Sequence, residues 1–225
     1  MSNIEIESSL YRILSFDRVV EIFQRGELYF SHPSNWDDPY EIVLKHKYWD
    51  SFFAQCWCEN GVSDAMWRIY SPNQLGVRIR ITKDRLQEQL SAASGKQGIN
   101  FIIGEVDYLA QSKLQSKLRR TAERLRVRFN SKLAAESLLM KRDAFSHESE
   151  VRVVVYPKHL RRSPIPARGF KVSVDPYYLI RGVLVDPRAP EAYVEAYKHY
   201  LRAKLGFRGN VLRSLLYSGP EPLKA

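Results

Sequence analysis

Cysteine is nearly absent from this chain of 225 residues: Cys56 and Cys58, one residue apart in "FFAQCWCEN", are the only two. On a strand both would face the same side, and so close a pair rarely closes a disulfide. Two thiols in a reducing cytoplasm are the expectation. No second cysteine or histidine cluster accompanies them, so no zinc site and no bound metal is expected. Long apolar runs are missing too. None approaches the ~20 residues that a membrane span needs. The opening "MSNIEIESSLYRIL" lacks a basic stretch followed by a long apolar segment, so no secretion signal is expected. Glycine-rich phosphate loops and nucleophile elbows are likewise missing, which removes the commonest nucleotide-hydrolase and serine-hydrolase signatures. Acidic residues are in deficit, 25 against 35 Lys and Arg, for a net charge of +10.

What is present can build a core, since 44% of the residues are hydrophobic. Short alternating strands dominate: "SLYRILSFD", "ELYFS", "FFAQCWCEN", "LGVRIRIT", "FIIGEVDYL", a strand beginning at Glu148, "FKVSVD", "IRGVLVDP" and "NVLRSLLYS". Helices are predicted in "SFDRVVEIFQRGEL" (Ser15 or Asp17 as cap, Gly26 as stop), in "SDAMWRIYSPNQ", in "KDRLQEQLSAASGK" ending near Gly95, and in "PEAYVEAYKHYLRAKLG". A basic loop, "KHLRRSPIPARG", separates two of the late strands. Many connections are too short for crossovers. The expected fold is therefore α+β, one mixed and mainly antiparallel sheet system with helices outside. No linker-like composition divides residues 1–225, which read as a single domain with a helical insertion at 109–142.

That insertion holds much of the charge. From Gln111 to Arg142 ten Lys or Arg stand against Glu123 and Glu136, for +8. Leu114, Leu118, Ala122, Leu125, Phe129 and Leu133 are spaced as an apolar stripe of one long helix or two packed ones. Lys113, Lys117, Arg119, Arg120, Arg124 and Arg128 then form a face that could follow a phosphate backbone without reading bases. The plainer reading is a solvated helix face. Oligomeric state is not legible.

The chemistry-bearing stretch is "DAFSHESEVRVVVYPKH". In an extended chain Glu148, Glu150, Arg152 and Val154 would share one face and Ser149, Val151, Val153 and Val155 the other. Two carboxylates and a guanidinium in a row fit either solvated cross-strand pairs or the wall of a cleft. Lys141 and His147 stand close by in sequence. The loop "SHPSNWDDPYE" adds Ser31, Asp37, Asp38 and Glu41, which a capped turn would also explain. Trp67 and Tyr70 lie three apart on one helical face, suited to core packing or to stacking on a planar ligand ring.

Four separated segments, "LYRILSF", "GELYFSHPSNWDDPYE", "MWRIYSPNQLGVRIRI" and "HESEVRVVVY", together resemble the bacterial domain-of-unknown-function family 2971. Its pattern matches here at Leu10, Tyr11 and Arg12; at Asp37 to Glu41; at Met66, Trp67, Tyr70, Gly76 and Val77; and at Glu148, Glu150 and Arg152. Asp37 stands where asparagine is usual. A more distant resemblance is to the ADP-ribosyltransferases, through Tyr11-Arg12 early, Trp67, Tyr70 and Ser71 in the middle and Glu148-x-Glu150 late. It implies a split two-sheet core that binds and cleaves NAD. Glu150 would stabilise the positive charge that develops on the ribose, and Glu148 would position or deprotonate an acceptor. Arg12 would hold the pyrophosphate, Tyr70 or Trp67 would stack on nicotinamide, and Arg152 would keep Glu150 ionised.

Three readings stay open. One is an NAD-dependent ADP-ribosyltransferase or NAD glycohydrolase acting on a nucleic-acid or protein acceptor. Another is a metal-dependent nuclease, with Asp37, Asp38, Glu41, Glu148 and Glu150 around Mg²⁺. The last is a non-catalytic nucleic-acid or nucleotide-binding module, for instance in a defence or stress operon. All three require the loop at 31–41 and the segment at 148–152 to meet in one cleft.

Overall fold

In the computed structural model, residues 8–160 and 168–220 are described. Most of the predicted basic loop, residues 161–167, lies outside them.

The chain begins with β1 (Ser9–Ser15) and α1 (Phe16–Arg25), which stops where Gly26 turns left-handed (φ +63°) and its N–H reaches back to the Ile22 carbonyl. After β2 (Glu27–Ser31) come short 3-10 turns, among them Pro39–Glu41, which Asp38 caps by accepting the Tyr40 N–H. Then follow β3 (Phe53–Cys58), α2 (Asp64–Tyr70, capped by Ser63), β4 (Gly76–Thr82) and α3 (Lys83–Gln97, capped by Thr82). That last helix passes through Gly95, the expected stop, and ends instead at the left-handed Gly98.

The stretch expected as one strand, "FIIGEVDYL", is two: β5 (Ile99–Glu105) and β6 (Asp107–Leu109). Val106 breaks it, turning its N–H to the Glu150 carbonyl. The basic segment holds α4 (Gln111–Val127), α5 (Ser131–Glu136, capped by Asn130) and a three-residue strand, β7 (Met140–Arg142). β7 pairs in parallel with β6, so a small ribbon brackets the two helices. Next are β8 (Glu150–Pro157), β9 (Gly169–Ser173), α6 (Pro176–Leu179), β10 (Gly182–Val185), α7 (Glu191–His199) and β11 (Asn210–Arg213).

Nine strands form one mixed, mainly antiparallel sheet, in the order β11-β10-β4-β1-β3-β2-β9, with β8 and then β5 branching from β3. The branch creates the site. β3 pairs with β8 along its length, from Phe53 opposite Val155 to Cys58 opposite Glu150. On its other edge it meets β2 only at Ser31–Ala54 and β1 only at Tyr11–Cys58. Among the described residues, Gln55, Cys56 and Trp57 therefore have no strand on that edge. The sheet is notched there.

Two apolar clusters cover the two faces. Val19, Ile22 and Phe23 of α1, Leu86 and Leu90 of α3 and Val194 of α7 pack with Val151, Val153 and Val155. Leu114, Leu118 and Leu125 of α4 and Ala134 and Ala135 of α5 pack with Phe52, Val154 and Tyr156. β8 is thus buried on both sides beyond Arg152, which explains its continuous valines. Its polar start lies where the second cluster gives way to the notch.

Candidate active site

A cleft of about 670 Å³ opens at the notch, floored by Cys56 and walled by β1, α2, the loop after β2 and the start of β8. That volume lies within the range of small-molecule and cofactor sites. The loop at 31–41 and the segment at 148–152 do meet in it.

Glu148 and Glu150 arrive by a route that strand alternation does not give. β8 begins at Glu150, and Glu148 closes a 3-10 turn (Asp143–Glu148). Between them Ser149 is left-handed at φ +43°, a conformation that side chains other than glycine rarely adopt. This kink brings both carboxylates onto one ammonium: Lys141 Nζ lies 2.6 Å from Glu148 Oε2 and 3.4 Å from Glu150 Oε2. Arg152 donates to Glu150 through Nε (3.0 Å to Oε1) and Nη2 (2.8 Å to Oε2), and through Nη1 to the Leu138 carbonyl at 2.7 Å. Glu41, from the loop, pairs with Arg152 and lies 3.8 Å from Lys141. The indole of Trp36 packs 4.3 Å from the Arg152 guanidinium carbon. The Glu150 N–H donates to the Tyr108 hydroxyl at 2.9 Å.

The buried cluster thus holds three carboxylates and two cations. Burial works to raise the Glu150 pKa, but the charge and hydrogen bonds of Arg152, with Lys141, hold it below the usual carboxylate range. Burial wins at Glu41, whose pKa is raised against the pull of the same two cations. The Cys56 thiol is pushed up to about 12 by burial and by the negative charge of Glu150, to which it also hydrogen-bonds. It is a neutral thiol, not a nucleophile.

Arg12 supplies the missing positive charge. It is half-buried in the cleft wall, and among the described residues its guanidinium makes no hydrogen bond or ion pair. Burial lowers its pKa, opposed by Cys56, Tyr70 and the charge of Glu150. Arg78, also in the wall, lies 4.6 Å over the Tyr11 ring, and its buried Nε has no acceptor. The cleft cations Lys141, Arg142 and Arg152 are all paired.

The other expected residues fall as follows. Tyr11, Ser31, Asp37, Asp38 and His147 line the cleft. Asp38 is taken up by Arg142 at 3.0 Å, and Ser31 by the Ala54 carbonyl. Trp67 and Tyr70 also line the cleft, Trp67 only 1% exposed and Tyr70 46% exposed. Lys113, Arg119, Arg120, Arg124 and Arg128 are exposed on or beside α4 and have no carboxylate partner among the described residues; Lys117 pairs with Asp107 at 2.6 Å. None of these six lines the cleft. Lys141 and Arg142, counted with the basic segment in the sequence, are not helical: they sit on β7 and belong to the site. Cys56, Tyr108, Trp36 and Arg78 went unread. A sequence signal existed for Arg78 alone, as a cation in an apolar alternation. Among the described residues, no helix is long and apolar enough to cross a membrane.

Solved structures of DarT from Thermus sp. 2.9 resemble the chain over most of its length. The complex with NAD+ gives a TM-score of 0.43 at 13% identity, over 94% of this chain and 98% of that one. The complex with ADP-ribosylated ssDNA gives 0.41 at 12%, over 92% and 93%. The complex with carba-NAD+ gives 0.41 at 13%, over 93% and 96%. Similarity of this degree does not bear on chemistry. No curated protein matches the chain. The model of the family described as "Protein of unknown function (DUF2971)" does match it, over residues 66–153, from the tryptophan helix α2 to the glutamate–arginine start of β8.

Proposed function

We propose that this chain is an NAD-consuming enzyme of the ADP-ribosyltransferase type. The observation that carries this reading is that one cleft holds both a fixed, ionised carboxylate, Glu150, and a half-buried guanidinium, Arg12, that has no partner among the described residues. A charged group without an acceptor is costly inside a protein, so a site that keeps one is built for an anion.

The residues fit NAD as substrate. Arg12 offers forked donors to a diphosphate. Tyr70 offers an open ring to the nicotinamide. Glu150 faces the ribose carbon as its bond to nicotinamide nitrogen breaks, the electron pair leaving with nicotinamide, and stabilises the developing cation. Arg152 and Lys141 hold that carboxylate in place and ionised, so no reorganisation is needed during the reaction. Glu148 is the second carboxylate, placed to take the proton of an acceptor hydroxyl or amine. The exposed cations of α4 favour a polyanionic acceptor.

A divalent metal fits these residues poorly. Lys141 and Arg152 already stand among Glu41, Glu148 and Glu150, where a dication would have to sit.

The test is thermal stabilisation by NAD followed by nicotinamide release, for wild type and Glu150→Gln. Stabilisation with release that depends on Glu150 is the expected result. No shift and no release from the wild type would overturn the reading.

A further inference from the structure

In the half of the sheet formed by β1, β4, β10 and β11, one face packs into the core. Val77, Ile79, Ile81, Val183, Val185 and Val211 point into the core and are exposed by 1% or less. Residues directly opposite one another in a ladder share a face. Arg78 lies opposite Ile13 and Leu184, and Arg80 opposite Tyr11 and Gly182, so both arginines stand on the face away from that core, Arg78 partly buried and Arg80 exposed. Leu212 of β11, opposite Leu184, is 53% exposed on the same face.

Arg78 lines the cleft, and Arg80, next on that face, lines a second hollow of about 520 Å³ with Arg85, Arg181 and Arg208. Among the described residues, that hollow has four arginines and no carboxylate in its lining. The side chains of Arg80, Arg181 and Arg208 are exposed and make no hydrogen bond or ion pair among the described residues. Arg85 donates to the Tyr178 carbonyl at 2.5 Å and lies over the Tyr178 ring. The nearby carboxylate of Glu88 is occupied by the Tyr178 hydroxyl. Tyr177, half-exposed, adds a ring to the lining.

We propose that single-stranded nucleic acid docks on this arginine row and is led by it, through Arg78, into the cleft as the acceptor. Its role as acceptor rests on the transferase reading above; the docking does not. The choice of arginine over lysine suits phosphate, whose oxygens match the guanidinium fork, and rings interleaved with cations suit unpaired bases. The cations of α4 carry charge as well, but none of them lines the cleft.

The experiment is fluorescence anisotropy of a labelled single-stranded oligonucleotide, without NAD, over a range of salt concentrations. It compares wild type with Arg80→Glu/Arg181→Glu and with a helix variant, Arg120→Glu/Arg124→Glu, each checked for folding by circular dichroism and melting. All four sites are exposed, so the fold is expected to persist. For the sheet variant, affinity should fall roughly tenfold or more, and the salt slope should drop by about two. A loss confined to the helix variant, no binding by wild type, or equal binding of poly-glutamate would overturn the proposal. Because no NAD is present, a failure here is distinct from a failure of nicotinamide release.

Discussion

Arg152 grips the Glu150 carboxylate with two hydrogen bonds of 3.0 and 2.8 Å, across two residues of one strand. A fork-to-fork pair of this kind fixes both position and charge. In Glu150→Gln the fork loses its anion, leaving Arg152 and Lys141 with Glu41 and Glu148 alone. Unfolding free energy in urea should fall by about 3–5 kcal/mol, as when one partner of a buried pair is removed. Nicotinamide release should fall by a factor on the order of a hundred or more. A variant as stable as wild type would mean that the pair is not buried as described.

Arg12 makes the opposite prediction. Among the described residues no group accepts from it, so Arg12→Met removes a desolvated charge without orphaning a partner. The melting temperature without ligand should hold or rise, while stabilisation by NAD disappears. Such a trade of stability against function is common where a site keeps an unfavourable group for its ligand. A large loss of stability would show Arg12 to be structural.

Ser149 tests the kink that joins the two glutamates. Glycine adopts a φ of +43° without penalty. Ser149→Gly should therefore be neutral or stabilising by up to ~1 kcal/mol, with turnover retained. Ser149→Val, β-branched, should cost about 1–3 kcal/mol and lower turnover by displacing Glu148 from Lys141. Equal behaviour of the two variants would dismiss the backbone argument.

His46 sets a pH dependence. It packs against Phe52, Trp49 and Phe129, and burial lowers its pKa to about 4. Between the unfolded value near 6.5 and about 4, the unfolded chain binds the proton first. Stability should therefore fall as pH drops through that window. His46→Phe should flatten part of the loss, read as urea midpoints at pH 7 and pH 4.5. Parallel pH profiles for the two proteins would refute it.

Much of this was legible from residue order, and the failures have physical causes. Alternation located β4 because Val77, Ile79 and Ile81 bury one whole face, and the valine run located β8 because both of its faces are covered. Gly26 marked a helix end because its left-handed turn is local chemistry. The three-residue β7 and the break that sets β6 apart from β5 were not legible, since pairing between Asp107 and Met140 joins distant segments that carry no periodicity. Lys141 and Arg142 consequently looked like helix surface. Glu148 was placed on the right side of the cleft for the wrong reason: a left-handed serine, not the strand period, puts it there. Glu150 stood out as a charge at the head of an apolar strand and Arg12 only through the resemblance to ADP-ribosyltransferases; Cys56 and Tyr108, which touch Glu150, looked like ordinary core.

The short edge of β3 left open between Ala54 and Cys58 has a further consequence. An unpaired strand edge is normally an invitation to another chain, and proteins guard such edges with charge, twist or cover. Here β1 and β2 stand at either end of the opening. The Gln55 amide donates to the Tyr29 carbonyl, and its oxygen accepts from the Trp57 indole. The unpaired backbone is recessed, with Gln55 and Trp57 each only 2% exposed, so a flat foreign strand cannot lie against it. Depth thus guards an edge that charge or twist guards in other sheets.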